Sequence, residues 1–228
     1  MRTLNIFLLT IMLGQMAIAQ GPQNTTKTAT SRYDSRYYKA TLFAKVNFLS
    51  LFDPGAPTIQ PGLEYRFNKR IAIEASYGIP VYVFRESRPT DTTYFRCYKI
   101  KAGLKFYPGK DPRFYFSPEF FFTRRERNKY NGVVTGKDGI NYEYRYAEMV
   151  KSIVGMALKF GVVGPLSERL CVEAAVGFGP RFVHLKMNAS NLDRADFVRS
   201  MFKFNTDKIG TSYGIHMMSE FKLGYIIN

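Results

Sequence analysis

From residue 36 onward, apolar and polar side chains alternate with a period of two, the spacing of a strand whose successive side chains point to opposite faces. The stretch Cys97–Tyr107 (CYKIKAGLKFY) shows it most clearly. Lys99, Lys101 and Lys105 fall on one face, and Tyr98, Ile100, Ala102, Leu104 and Phe106 on the other. A helix would scatter the three lysines around its circumference, whereas a strand separates them cleanly. Eight such segments follow one another, at roughly 37–50, 57–67, 71–84, 93–107, 113–125, 142–162, 169–186 and 211–227. In each, large apolar residues oppose a polar face. The polar faces carry Lys39 and Lys45, then Glu64 and Arg66, Glu74, the three lysines above, Glu119 and Arg125, Lys151 and Lys159, Glu173 and Arg181, and finally Glu220 and Lys222.

The connections alternate as well. Residues 68–70, 108–112 and 164–168 read as tight turns, the second from Pro108-Gly-Lys-Asp-Pro112. Longer connections fall at about 51–56, 85–92, 126–141 and 187–210. Short and long in strict turn predict an all-β chain: an eight-stranded antiparallel up-and-down transmembrane β-barrel, with short turns at one end and long loops at the other. A soluble lipocalin-like barrel has the same period but turns its apolar face inward. Strand length favours the membrane, since several segments exceed the roughly 9–11 residues needed to cross the hydrocarbon. Tyr and Phe near the strand ends suit interfacial girdles, and glycines on the polar face suit a narrow interior. The decisive expectation is the direction of the lysines: inward for a membrane barrel, outward for a soluble one.

Composition fits strands. The 228 residues include 20 Phe, 16 Tyr and no Trp. A formal charge of +15 would ordinarily suggest a polyanionic partner. Here the basic residues are spread along strands rather than gathered in one patch, which argues against nucleic acid. Residues 1–19 read as an export signal: Arg2, the apolar run Ile6–Leu13 and the small-x-small site Ala17-Ile-Ala19. Its removal takes only Arg2 from the charge balance, leaving +14. Residues 20–35 are polar and aperiodic and read as a flexible periplasmic tail, so the barrel domain is expected over 36–228.

Two stretches carry a resemblance. Lys45-Val-Asn-Phe-Leu-Ser-Leu-Phe52 and Pro61-Gly-Leu-Glu-Tyr-Arg-Phe-Asn-Lys-Arg-Ile-Ala-Ile-Glu-Ala-Ser-Tyr77 resemble the opening hairpin of small outer-membrane β-barrel proteins of Bacteroidota-type bacteria, OmpX-like in architecture. The resemblance covers about 45–80 and implies an outer-membrane location and no assigned catalytic residues. The C-terminus departs from the pattern: Phe221 and Tyr225 keep alternate aromatic spacing, but Asn228 stands where such strands commonly end in an aromatic.

Four groups of residues are candidates for chemistry. Lys39, Lys45, Glu64, Arg66, Glu74, Lys99, Lys101, Lys105, Glu119, Lys151, Lys159, Glu173, Arg181, Glu220 and Lys222 are expected to form a mixed-sign network inside the barrel. Buried charge is tolerable there only when paired or hydrated. Arg124, Arg125, Arg127, Lys129, Arg194 and Arg199 are expected to form a basic rim in the loops, suited to lipopolysaccharide phosphates. Within the longest loop, 192–204 has the spacing of a short amphipathic helix. By parity Cys97 and Cys171 both face inward, but at opposite ends of their strands, too far apart for a disulfide. His184 faces outward and His216 inward, so the two do not converge as a catalytic pair would. No metal-ligand spacing, phosphate loop or nucleophile elbow occurs, and no cofactor is expected. The reading is a monomeric outer-membrane barrel with a structural or surface-interaction role and outer-membrane lipids as partners. A lipid A-modifying enzyme, a narrow channel or secretion accessory, and a soluble lipocalin-like binder are the alternatives.

Overall fold

The computed structural model describes residues 41–52, 57–81, 95–108, 113–194 and 207–227. The expected export signal, the tail and Lys39 lie outside them, as does Arg199. Eight long strands are present: β1 (Thr41–Asn47), β2 (Thr58–Arg66), β3 (Ile71–Pro80), β4 (Phe95–Phe106), β5 (Phe114–Thr135), β6 (Asn141–Pro165), β7 (Leu170–Ser190) and β8 (Gly210–Ile226). Each pairs antiparallel with its neighbour in sequence. The sheet closes because β1 also pairs with β8, through registers such as Ala44 with Tyr225 and Val46 with Leu223. Closure leaves no free edge in the wall.

Local chemistry makes the turns. Asn68 Oδ1 accepts the backbone N–H groups of Arg70 and Ile71 at 2.8 and 3.0 Å, folding the β2–β3 turn around one side chain. Ser167 Oγ accepts the Leu170 amide at 3.2 Å in the β6–β7 turn. Between β5 and β6, Gly139 adopts φ +82°, a left-handed conformation that glycine takes without steric cost. A 3₁₀ turn, Leu49–Phe52, follows β1 and is pinned by Ser50 Oγ donating to the Thr58 carbonyl at 2.5 Å.

The alternation places the lysines of the fourth segment inward. Lys105 is fully buried and Lys99 nearly so, while Ile100 and Leu104 are exposed on the outer surface. The same inversion runs around the barrel. Glu64, Glu74, Glu119, Glu173 and Glu220 are buried, whereas Leu63, Ile73, Phe120, Val176 and Phe221 are exposed.

At the long-loop end the strands run past the sequence expectation, and β7 continues to Ser190. Residues 126–135 are not loop; β5 runs on to Thr135 and β6 starts at Asn141, so a long hairpin projects beyond the barrel, closed by a turn at 136–140. Its polar run Arg124–Lys129 hides the strand because the pleat there has no apolar solvent on either side. Two-residue strands cover both its edges. Asp193–Arg194 pairs antiparallel with β6, and Asp207–Lys208 pairs parallel with β5. The first of these also replaces the start of the expected helix at 192–204, most of which lies outside the described residues. Val134, Tyr144, Ala147, Met149 and Leu185 form a small buried apolar cluster beneath this cap, with Ile209 packed against it.

Candidate functional site: the charged lumen and the cationic mouth

The strands place three layers of side chains inside the barrel. Nearest the short turns sits a network of five glutamates and six cations: Lys45, Arg66, Lys101, Lys105, Lys159 and Lys222. Lys105 stands at its centre. Its ammonium donates to Glu64 at 2.6 Å and to both oxygens of Glu173 at 2.8 Å, and it also pairs with Glu74. Lys45 bridges Glu64, at 2.6 Å, and Glu173. Lys222 joins Glu74 to Glu220, the latter at 2.8 Å. Lys101 donates to Glu220 at 2.5 Å, and Lys159 pairs with Glu119 and with Glu220 at 3.1 Å.

Aromatic side chains fill the spaces between these charges. Tyr115 donates its hydroxyl to Glu173 at 2.5 Å, and the Lys105 ammonium lies 4.5 Å from the centre of its ring. Arg66 donates to the Tyr107 oxygen at 2.7 Å and lies over that ring and over Phe43, at 4.4 and 5.3 Å. Space for Tyr115 comes from Gly161, where a methyl group would sit 2.4 Å from the tyrosine ring. The inward aromatics Phe43, Tyr107 and Tyr115 escaped the sequence reading, which sought aromatics on the outer face. Their position opposite small or charged neighbours was the available signal.

Glu64, Glu74 and Glu173 bring carboxylate oxygens within 4.8 Å of one another, a spacing that suits a bound cation. The Lys105 ammonium touches all three, so the chain supplies that cation itself.

The second layer is built around an apolar cluster. Phe121, Ile153 and Ala157 are buried together with Val183 and Met218 packed against them, and His216 stacks on Phe121 at 4.2 Å. It lies toward the projecting hairpin from the charge network, since each of its residues is nearer that end of its strand. Arg181, on β7 between Gly155 and Gly214 of the adjoining strands, faces inward here. Lys99 is buried on the inner face of β4.

The third layer is at the mouth, and it redistributes the residues expected as a rim. Arg127 and Lys129 turn inward with Lys151 around one carboxylate, Asp207. Arg127 donates to it at 2.5 Å, Lys151 at 2.8 Å and Lys129 at 3.5 Å. Lys151 thus belongs to the mouth and not to the glutamate network. Arg125 faces Lys151 across the β5–β6 ladder. Among the described side chains of this group, Arg124 alone lies on the outer face, paired with Glu126 at 3.0 Å. The Arg194 backbone is placed in its short strand, without a described side chain. Asp207 had no sequence signature, being one of three acids in a long connection, with Asp193 and Asp196.

Burial alone would raise the Asp207 carboxyl, but Lys151, Arg127 and Lys129 outweigh it and hold it at about 2. A carboxyl depressed in the folded chain stabilises above its ordinary range, near 3.8, and loses that contribution as pH falls toward 2. The Ile209 amide, bonded to the Thr135 carbonyl at 2.8 Å, reports whether the strap formed by residues 207–209 is docked on β5. Its hydrogen-exchange protection is expected to hold from neutral pH down to about 4 and to collapse between about 4 and 2. Asp207→Asn is expected to lower that protection at neutral pH.

The remaining candidates are separate from one another. His184 lies on the outer surface, its Nδ1 3.0 Å from Thr211 Oγ1, with the barrel wall between it and His216. Cys97 and Cys171 are both buried, and neither is in a disulfide. An apolar groove of about 600 Å³ on the outer wall is lined by Met156, Leu158, Phe178, Pro180 and Ile215. The β6–β7 ladder is interrupted beside it, where Pro180 lacks an N–H. At neighbouring Gly179 any Cβ would lie 2.0 Å from the Met156 carbonyl oxygen.

No protein-family model and no curated protein matches the chain. Among solved structures, Acinetobacter baumannii CarO aligns with a TM-score of 0.39 and 11% identity over 84% of this chain and 98% of its own. Acinetobacter baumannii CarO2 aligns with a TM-score of 0.40 and 11% identity over 83% and 97%.

Proposed function

We propose that this chain is an integral outer-membrane barrel whose lumen is shut by its own side chains. Its role is structural or surface-presenting, and the hairpin of β5 and β6 is its most prominent exposed feature. The observation that carries the reading is the inverted distribution of polarity. Lys105, Glu64 and Glu173 are fully buried inside, while Ile100, Phe120, Phe178 and Met217 stand exposed outside. In water that arrangement wastes apolar burial and pays for charge burial. In a bilayer the outer face meets hydrocarbon, and a closed barrel satisfies every backbone group within the wall.

Closure of the lumen follows from two features in series. The ion-pair network spans it from several strands, and the layer around Phe121 lies above. An eight-stranded barrel has room for side chains but not for an open aqueous channel. A lipocalin-like binder would need an apolar interior, which this chain lacks in its glutamate layer. Opposite placement of His184 and His216 removes the motive for a lipid A-modifying centre built on both.

Two measurements test the proposal. The mature chain should fractionate with outer membranes and run faster on a gel unheated than boiled. It should also give no steady conductance in planar bilayers. Recovery from the soluble periplasm would sink the membrane reading, and ohmic conductance from the unmodified protein would replace the closed barrel with a channel.

A further inference from the structure

The mouth cluster is out of balance in charge. Arg127, Lys129 and Lys151 converge on Asp207, and among the described residues it is the one acidic partner each of them shows. Among the described groups that meet Asp207, three cations against one carboxylate leave a surplus of two positive charges, with Arg125 facing Lys151 beside them. The deep network is different: six cations meet five carboxylates there. The mouth is also accessible. Lys129 is 33% exposed, Lys151 22% and Arg127 20%, whereas Asp207 is only 11% exposed. The cations present a wet side, and the carboxylate occupies the covered side. Crowding has a further mark: burial and then the nearby Arg127 charge lower the Lys129 ammonium from its ordinary range, despite Asp207.

The chemistry of the donors selects the class of ligand. A guanidinium offers a planar fork matched to tetrahedral oxyanions, and ammonium groups add point charge. A phosphate monoester carries close to two negative charges at neutral pH, which matches the surplus around Asp207. A carboxylate would neutralise only half of it. The three cations come from alternate positions on β5 and from β6 across the ladder, so paired strands and not loops set their spacing.

We propose that Arg127, Lys129 and Lys151 form an anion site at the mouth of the barrel that takes a phosphoryl group beside the Asp207 carboxylate. Asp207 then acts as a built-in competitor that fixes the cations when the site is empty and docks the strap at 207–209 against β5. A free phosphate and the phosphate of a lipid headgroup present the same group, and their sources separate by experiment.

The test uses the full mature chain, folded in phosphate-free detergent at low salt, with gel mobility confirming the fold of every variant. Inorganic phosphate titrated by calorimetry is expected to bind saturably at one site. Arg127→Gln with Lys151→Gln should weaken it at least tenfold, while Arg124→Gln on the outer face should leave it within twofold. Asp207→Asn should tighten binding several-fold, because it removes the competing charge and keeps the three cations. In nanodiscs, selective retention of bis-phosphorylated lipid A over its dephosphorylated form would identify a headgroup as the source. Retention of neither, with phosphate still bound, would identify a soluble one. Absence of saturable binding for both probes overturns the proposal, as does phosphate binding unchanged in the double variant. Should the double variant fail to fold, weaker phosphate binding by Asp207→Asn overturns it instead. The phosphate arm needs no bilayer, so its outcome is independent of where the barrel resides.

Discussion

Lys105→Ala is expected to destabilise the folded barrel by about 3–5 kcal/mol, enough to prevent refolding into detergent micelles under conditions where the wild type refolds. Lys105 is fully buried and touches Glu64, Glu74 and Glu173. Deleting its ammonium leaves three carboxylates within 4.8 Å of one another without the cation they share, held only by the flanking contacts of Lys45, Arg66 and Lys222. The loss is that of a buried ion-pair centre broken from one side, larger than the value of any one exposed pair. Adding Glu173→Gln should recover part of it, since Glu173 is the carboxylate that meets Lys105 through both its oxygens. Lys137→Ala, at the exposed hairpin tip, should change stability by no more than about 0.5 kcal/mol. The chain has no tryptophan, so the midpoint is best followed in urea by the heat-modifiable gel band or by far-ultraviolet circular dichroism. Unchanged stability in Lys105→Ala would mean that water already screens the network.

The network specifies register as well as filling space. Lys45 meets Glu173 across 128 residues of sequence, and Lys222 meets Glu74 across 148. A one-residue slip in any strand would turn its charged set to the outside. Replacing the whole set by apolar side chains could leave stability unchanged, as for buried ion pairs in general. It would also erase the distinction between the two faces on which the alternation depends.

The alternation made the faces of β4 legible in the sequence because the wall is one residue thick and separates two different environments. Ile100 and Lys101 need no tertiary information to be assigned to opposite sides. Which glutamate each lysine meets was not legible, because closure brings together strands remote in sequence and the stagger between them leaves no local trace. Nor was the continuation of β5 past Arg125. Alternation requires two unlike solvents, and beyond the barrel the hairpin has water on both sides except where Val134 and Tyr144 pack under its cap. For the same reason Arg127 and Lys129 read as loop charges. Only the placement of Asp207, 80 residues away from Arg127, shows them to be a cluster.

Ile100→Arg is expected to cost about 2–4 kcal/mol in a bilayer and close to nothing if the barrel is soluble. The contrast rests on one side chain. Ile100 lies midway along β4, between Tyr77 on β3 and Phe122 on β5, and is 45% exposed on the outer face. A side chain with that exposure would already be wet in a soluble protein, so arginine there would lose little packing and bury no charge. In hydrocarbon the guanidinium must be dehydrated or must draw water and headgroups toward it, and the cost grows with depth. Folding measured by gel mobility in lipid vesicles gives the number, and the same variant in short-chain detergent gives the control. A penalty in vesicles that shrinks in detergent locates Ile100 in hydrocarbon. Equal stability of wild type and Ile100→Arg in vesicles would contradict a membrane-spanning β4, however well the lysines on its other face are paired.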